Sequence, residues 1–247
     1  MNIYDFGPIA AVLDAAYRVV LQLSNTLVPL AGTASAALAI VLVTIIVRTA
    51  LIPVGVSQAR AARIRTRLAP RIAELRRRYG TRPDELRRKL AELYSAENAS
   101  PLAGCLPLLA QAPVISLIYG LFSHPVISGH ANALLTGTLN GVPLGSSFAG
   151  AVAGGALGWP TITAFAALLA VLVAVALLSR RFLGLPQAAT TRGSATDPAS
   201  SRVAAALSYA PLLTAVFALF LPLAAGIYLA TTTTWTLAER LILNGVV

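Results

Sequence analysis

Charged residues are absent from three long segments of this chain. Asp, Glu, Lys and Arg do not occur at 19–47, at 98–179 or at 203–238. Segments of this length suit the hydrocarbon core of a bilayer, where a charged side chain is costly. Charged residues make up 11% of the 247 residues, against about 25% in an ordinary soluble domain. The sequence therefore predicts an all-α integral membrane protein and excludes a soluble globular domain.

Five segments are apolar enough and long enough to cross a bilayer as helices. In chain order, these predicted spans are 31–55, 101–123, 159–180, 203–221 and 222–243. The fourth and fifth spans are joined by little more than Pro222, so we expect them to be antiparallel neighbours.

The first 30 residues are predicted to form a separate amphipathic helix, 1–30. Apolar side chains that include Val12 and Val19 share one helical face, while Asp14 and Arg18 lie on the other. This pattern is typical of a helix that lies in the membrane interface. An additional short span is the weaker alternative, because Asp14 and Arg18 would each be costly in hydrocarbon.

The segment 56–100 combines dense charge with a helical apolar pattern. Apolar residues recur every three or four positions, first at Ile64, Leu68, Ile72, Leu75 and Tyr79, then at Leu86, Leu90 and Leu93. Gly80 and Pro83 interrupt the pattern, so it predicts two amphipathic helices in an antiparallel hairpin. Thr81 is expected to cap the second helix, with Asp84 three residues later in the manner of a capping box.

The basic residues predict the orientation of the chain in the membrane. Residues 56–99 contain twelve Lys or Arg against five Asp or Glu, and 180–202 contains four Arg. The loop 124–158 contains neither Lys nor Arg. Because cytoplasmic loops are enriched in positive charge, the hairpin and the loop 181–202 are predicted to be cytoplasmic and the loop 124–158 external. The N-terminus is then outside and the C-terminus inside.

The net charge of +10 therefore does not require DNA as a partner. The arginines of the hairpin have two interpretations that the sequence leaves open. They could bind anionic lipid or ribosomal RNA, with salt-sensitive affinity in either case. Alternatively, they only keep the hairpin in solution and set the membrane orientation.

Arg48 is the informative charge of the first span. It lies five residues before Pro53, about 7–8 Å of helix rise from that end. A charge at this depth costs at least about 2.5–3.5 kcal/mol and is usually functional. Thr44 lies one turn further in on the same face, whereas Val41 and Ala37 beyond it are apolar. The pattern predicts a cavity that is open to water from the cytoplasm and closed toward the outside.

Other polar residues are predicted to line the same cavity. They are Tyr228, Thr231, Thr232 and Trp235 in the fifth span, and Gln111 and Ser116 in the second. Glu239 is expected to lie at the interface rather than to pair with Arg48. In the alternative interpretation, the threonines bond to carbonyls of their own helix, and Gln111 and Ser116 only pack between helices.

The sequence lacks the residue patterns of an enzyme or of a metal site. It contains one cysteine, Cys105, and two histidines, His124 and His130, too few for a disulfide framework or a Cys/His zinc cluster. There is no His-Glu-x-x-His motif and no glycine-rich phosphate loop. We therefore expect neither catalysis nor a cofactor.

The segment 98–114 resembles the signature of a known family. It reads Asn-Ala-Ser-Pro-Leu-Ala-Gly-Cys-Leu-Pro-Leu-Leu-Ala-Gln-Ala-Pro-Val. This is similar to the Asn-Pro-Leu-x-Gly-Cys-x-Pro-x-x-x-Gln-x-Pro signature of the YidC membrane protein insertases, with two extra residues between Asn98 and Pro101. The order of the spans and of the hairpin also agrees, so the resemblance covers about residues 30–243.

The resemblance implies a five-transmembrane-helix insertase core around a hydrophilic groove that is closed outside. Arg48 and Thr44 would occupy groove positions of the family. A nascent hydrophobic segment would slide along the second and fourth spans, where the corresponding residues are Ala112, Pro113, Ile115, Leu213 and Phe217. The implied partners are nascent membrane proteins and lipid. The ribosome, which would contact the hairpin and cytoplasmic loops, and the Sec translocon are further candidates. The implied location is the bacterial cell membrane.

Two other classes of function are compatible with the sequence. A channel or transporter subunit would also explain an arginine inside a five-span bundle, and it would conduct a solute without any nascent chain. A structural membrane assembly factor would instead chaperone folded subunits and would not contact an emerging segment near Arg48.

Overall fold

A computed structural model describes residues 7–97, 116–122, 124, 126–127, 129–183 and 210–246, most of them in helices. The helices are α1 (Gly7–Ala31), α2 (Ser35–Ala50), α3 (Ile52–Tyr79), α4 (Pro83–Ala96), α5 (116–122), α6 (Phe148–Ala153), α7 (Trp159–Leu183), α8 (Ala210–Ala218) and α9 (Leu223–Val246). Short 3-10 turns occupy Gly32–Ala34 and Ala133–Thr136.

Two stretches of the described residues are long and apolar enough to cross a membrane. They are Ala10–Ala50, with 41 residues, and Trp159–Phe182, with 24 residues. The first stretch contains both α1 and α2, and the second lies within α7. These features support the predicted helical membrane protein. The number of five spans stays a prediction.

Helix α1 packs against α2 after a tight turn in which Gly32 has φ +53°. A hydrogen bond of 3.2 Å joins the hydroxyls of Ser24 and Ser35 across this pair. The buried face of α1 contains Leu13, Val20 and Ser24. Val12 and Val19, predicted on the apolar face of this helix, are each more than half exposed. An interfacial helix directs its apolar face at the bilayer, so the position of α1 in the membrane interface stays a prediction.

Helices α2 and α3 are separated by a single residue, Leu51. Pro53 has no N–H to donate to the preceding turn, so the break before it has a simple cause. The helix of the first predicted span accordingly runs from Ser35 to Ala50, rather than over 31–55.

Helices α3 and α4 form an antiparallel hairpin. Glu97, just after α4, forms ion pairs with Arg67 and with Arg71 of α3, the latter at 3.1 Å. The expected Thr81 cap is wrong. The N-cap of α4 is Arg82, which makes no side-chain cap hydrogen bond, and Pro83 opens the helix. Proline suits this first position because its missing N–H would lack a helical partner anyway.

Within the described residues, β structure is limited to two antiparallel pairs in the loop 124–158. Strand β1 (Val126–Ile127) pairs with β2 (His130–Ala131), and β3 (Thr138–Leu139) pairs with β4 (Val142–Pro143). Residues of this loop, including Leu134 and Leu144, are fully buried and belong to the same core as the helices. The loop is thus a folded cap on the bundle.

Among the described residues, the core lies mainly at the end of the bundle that carries this loop, which we call the loop end. The opposite end, from which α3 and α4 extend, is the hairpin end. In α2 the fully buried apolar residues, Ala36, Ala37, Ala39 and Ile40, all precede Thr44. In α9 the buried run Leu223–Gly226 likewise lies at the loop end. Within the described ranges, the buried cluster thus lies mainly toward the loop end.

Candidate functional site

The loop end is closed by hydrogen bonds between the loop and the turn that joins α8 to α9. The N–H groups of Leu223 and Ala224 donate to the carbonyls of Ser146 and Leu144, at 2.8 and 3.0 Å. The N–H of Ala149 donates to the carbonyl of Leu219 at 3.0 Å. These bonds satisfy backbone groups at the start of α9 that a helix leaves without partners. The loop and the helical turn are thereby joined into one layer.

Asn132 joins this layer to α5. It is 4% exposed. Its amide nitrogen donates to the carbonyls of Leu121 and His124, the latter at 2.9 Å, and its oxygen accepts from the N–H of Leu134 at 3.0 Å. Tyr17 adds a contact from α1, since its hydroxyl accepts from the N–H of Ala133 at 3.2 Å. Sequence analysis did not single out Asn132, because an asparagine in a loop has no distinctive signature.

A cavity of about 350 Å³ lies between α2, α7 and α9. Its described lining residues are mostly apolar or small: Ile45, Val171, Ala230, Thr231, Thr234, Trp235 and Ala238. Ile45 is ten residues from the start of α2, about 15 Å of helix rise. The lining of α9 begins seven residues after Leu223 and continues for eight more. The cavity therefore begins below the closed layer and extends toward the hairpin end.

Most threonines of α9 do not present a free hydroxyl to this cavity. Thr231 donates to the carbonyl of Ile227 at 2.8 Å, and Thr234 donates to that of Ala230 at 2.7 Å. Thr233 and Thr236 also donate to carbonyls of their own helix. These four side chains therefore follow the alternative interpretation, in which threonines bond to carbonyls of their own helix. The wall of the cavity is less polar than the residue types alone suggest.

Three side-chain atoms of α9 are buried and have no hydrogen-bond partner within the described part of the chain. They are Thr232 Oγ1, Trp235 Nε1 and Glu239 Oε1. Spacings of three and four residues place them on one face of the helix. Trp235 also lines the cavity, so this face adjoins it. Buried polar groups without protein partners are uncommon and usually have a structural or functional cause.

Arg48 and Thr44 lie on α2 beside the cavity but are not among its described lining residues. Thr44 is 4% exposed and its hydroxyl donates to the carbonyl of Ile40 at 2.6 Å. Arg48 is half-buried, one turn nearer the hairpin end. Both residues thus lie below the closed layer, at the depth where the lining begins.

The remaining predicted groove residues are distributed over several places. Thr231 and Trp235 line the cavity, Thr232 lies on the adjoining face, and Tyr228 is buried in the core nearer the loop end. Ser116 is exposed at the start of α5. Gln111 lies outside the described residues.

The predicted hydrophobic slide is described in part. Leu213 and Phe217 lie four residues apart on α8 and are 56% and 60% exposed. They form an apolar strip on the outside of the bundle, which in a bilayer would contact lipid or a hydrophobic segment. Ala112, Pro113 and Ile115 lie outside the described residues, as do Cys105 and the whole segment 98–114.

The base of the hairpin is attached to the end of α9. Arg63 of α3 donates from Nη2 to the carbonyl of Leu243 at 2.9 Å. The carboxylate of Glu239 packs directly over Gly55, where a Cβ would collide with Oε1. Sequence analysis missed both contacts, although a glycine within a helical segment is a weak signal of close packing.

The rest of the hairpin is exposed and strongly charged. Arg76, Arg77 and Arg78 are all exposed at the end of α3. On α4, the Lys89 ammonium donates to the Glu92 carboxylate at 2.7 Å. This hydrogen bond lowers the pKa of Glu92. Within the described ranges, no three His, Cys, Asp or Glu side chains are grouped so that they could hold a metal ion.

A family model described as "60Kd inner membrane protein" matches residues 28–247. Similar proteins include the membrane protein insertase YidC of Clostridium perfringens, 34% identical over 84 residues, and that of Oceanobacillus iheyensis, 32% identical over 99 residues. The insertase YidC of Actinobacillus pleuropneumoniae serotype 3 is 36% identical over 94 residues.

These alignments cover 34%, 38% and 38% of this chain and 35%, 39% and 17% of the respective relatives. The matched part thus spans well under half the length of the curated relatives. The family model covers nearly the whole chain. The resemblance found at 98–114 is confirmed at the level of the family, and the chain belongs to the 60Kd inner membrane protein family, which includes the YidC membrane protein insertases.

Proposed function

We propose that this protein inserts nascent hydrophobic segments into the lipid bilayer. The observation that carries the proposal is the asymmetry of the bundle. In the described part of the chain, the loop end is a hydrogen-bonded layer, whereas the half toward the hairpin contains the cavity and three buried polar atoms that have no partner among the described residues. A site of this kind admits a polypeptide from one side without opening a path across the membrane. The family assignment supports the same conclusion.

In the proposed mechanism, the hairpin end faces the cytoplasm, the loop end faces outward, and the chain crosses the membrane five times. A nascent segment enters at the hairpin end and rests in the cavity between α2, α7 and α9. It then leaves along an apolar surface that includes Leu213 and Phe217, both exposed on α8. Transfer of its apolar surface into lipid drives the step, at about 25 cal/mol per Å².

Arg48 is the proposed partner for polar or acidic residues of the translocated part. Because Arg48 lies below the closed layer, its guanidinium group keeps water in a part of the bundle that would otherwise be apolar. An acidic residue of the client would be attracted transiently, before the segment moves into lipid. The hairpin, whose exposed arginines are available at its tip, is the proposed contact for the ribosome, and the Sec translocon is a further proposed partner.

Reconstitution tests the proposal directly. The purified protein would be incorporated into liposomes and supplied with a ribosome-synthesised single-span protein that inserts poorly on its own. We expect protease-protected product several-fold above that of empty liposomes, and no flux of small solutes. Solute flux without insertion would instead indicate a channel or transporter. If neither insertion nor solute flux is observed, the assembly-factor alternative is favoured.

A further inference from the structure

Glu239 is the acidic residue that the proposed mechanism does not use. From residue 98 to residue 247 the sequence contains only two acidic residues, Asp197 and Glu239. Glu239 lies inside α9, seven residues before its end. One of its carboxylate oxygens is buried and has no hydrogen-bond partner in the described ranges. Burying an anion without a partner is costly, so a group that arrives during function is a reasonable source of compensation.

Glu239 is not among the described lining residues of the cavity, but it adjoins the end of the cavity that is nearest the hairpin. Ala238, its neighbour in sequence, is the last lining residue of α9, and Trp235, one turn earlier, also lines the cavity. The partnerless oxygen, Oε1, is the one that packs over Gly55 of α3. Gly55 follows Arg48 by seven residues, which corresponds to about 10 Å of helix rise. The acidic group therefore lies about two turns closer to the hairpin end than Arg48.

Thr232 and Trp235 make the face that carries Glu239 polar. Both contribute buried polar atoms without partners in the described part of the molecule, and Thr232 is only 7% exposed. The Thr232 hydroxyl and the Glu239 carboxylate can accept from an ammonium or guanidinium group, whereas the indole Nε1–H only donates and suits a water or carboxylate oxygen. An indole ring attracts a cation through its π face.

We propose that Glu239 binds the basic residues that flank a client segment on its cytoplasmic side. Membrane segments carry Lys and Arg at their cytoplasmic ends. A segment held in the cavity with its apolar part beside Ile45 and Val171 would bring such a flank to the level of Glu239. This inference rests on the proposed insertase function. The site would then have opposite charges at two depths. Arg48 would attract acidic residues of the translocated part, and Glu239 would bind the basic flank that stays on the cytoplasmic side.

The test compares two versions of one single-span client, with either two Lys or two Gln directly after the hydrophobic segment on its cytoplasmic side. Both are inserted into liposomes that contain the full-length protein or its Glu239→Gln variant, which keeps the size of the side chain. We expect the wild-type protein to favour the Lys client, and Glu239→Gln to reduce its insertion about three- to tenfold. Insertion of the Gln client should not change.

Two variants serve as controls. Glu74→Gln removes an exposed acidic group from the hairpin and should leave both clients unaffected. Glu239→Asp keeps the charge and should retain most of the preference for Lys. Equal thermal unfolding of all variants excludes a folding defect as the cause of any loss.

Other outcomes separate the proposals. If neither client is inserted by the wild-type protein, the proposed function itself fails. If insertion occurs but Glu239→Gln treats both clients as the wild type does, the inference about Glu239 is wrong while the function stands. Replacing Na⁺ and K⁺ by a bulky organic cation tests an inorganic ion as the ligand. If this replacement lowers the insertion of both clients, and does so only in protein that has Glu239, the ligand is an inorganic ion and the assignment to the client flank is overturned.

Discussion

At the scale of single residues, the side chain of Asn132 makes three hydrogen bonds at the closed layer. The three backbone groups belong to Leu121 of α5, to His124 beyond the end of α5, and to Leu134 of the loop. Asn132→Ala removes these three hydrogen bonds, each at a cost of about 1–3 kcal/mol where water cannot replace the bond. We expect a lower thermal unfolding temperature and faster hydrogen exchange of the loop amides.

The matched control for this prediction is Asn25→Ala, which changes an exposed asparagine of α1. It should leave both readouts within error of the wild type. Similar behaviour of the two variants would mean that Asn132 does not hold the closed layer together.

Arg48 allows a prediction about clients rather than about stability. Arg48→Lys keeps a cation and its water, although not the planar geometry of the guanidinium, and should retain much of the insertion activity. Arg48→Ala should fail mainly on clients whose translocated part is acidic. Insertion of paired acidic and neutral clients into liposomes measures this difference. If Arg48→Ala unfolds the protein, and the folded fraction still inserts both clients equally, Arg48 is a structural residue.

The threonines of α9 show where residue-level prediction from sequence ends. The spacing of Thr231 to Thr234 suggested a polar stripe, but a threonine hydroxyl can always reach a carbonyl one turn back. Three of these four make that bond. Thr232 is the exception, with a buried hydroxyl that has no partner in the part described. Only the packing around each side chain distinguishes the two cases.

At the scale of elements, the hairpin of α3 and α4 should be needed for clients but not for folding. Its attachments, the Arg63 bond to Leu243 and the ion pairs of Glu97, lie away from the tip. Replacing the tip residues 79–84 by a Gly/Ser linker of equal length leaves these contacts in place. We expect normal accumulation in the membrane and at least a several-fold loss of insertion.

The quantity of protein in the membrane fraction decides between recognition and stability. Loss of the linker variant from that fraction would show that the tip stabilises the bundle, contrary to this account. A variant that accumulates normally and inserts clients normally would show that the tip has no part in handling clients.

The elements were predictable from sequence where their pattern is local. The apolar repeat from Ile64 to Tyr79 and the break at Gly80 correspond to the end of α3 at Tyr79. A boundary that depends on cap geometry was missed, since Arg82 rather than Thr81 is the N-cap of α4. The folded loop was also missed, because two-residue strands and buried turns leave no periodic signal in the sequence.

At the scale of the whole molecule, the orientation in the membrane stays a prediction from charge. The hairpin should be cytoplasmic and the loop 124–158 external. A cysteine at Arg82, an exposed position of the hairpin tip, should react with a membrane-impermeant thiol reagent only after cells are opened. Cys105 should behave in the same way, because it is predicted near the cytoplasmic face. Labelling of either position in intact cells would show that the predicted orientation is wrong.

The central claim is that a nascent segment occupies the cavity between α2, α7 and α9. Thr234 offers the most direct probe, since it lines the cavity and is exposed. Leu177 is the matched control, because it is 52% exposed on α7 and is absent from the described lining. A photoreactive amino acid would replace each residue in turn, in membranes supplied with ribosomes that carry a stalled hydrophobic segment. The account predicts strong crosslinks to the nascent chain from position 234, weak ones from position 177, and loss of the crosslinks once the chain is released into lipid. Equal crosslinking from the two positions, or crosslinking from position 177 alone, would contradict it.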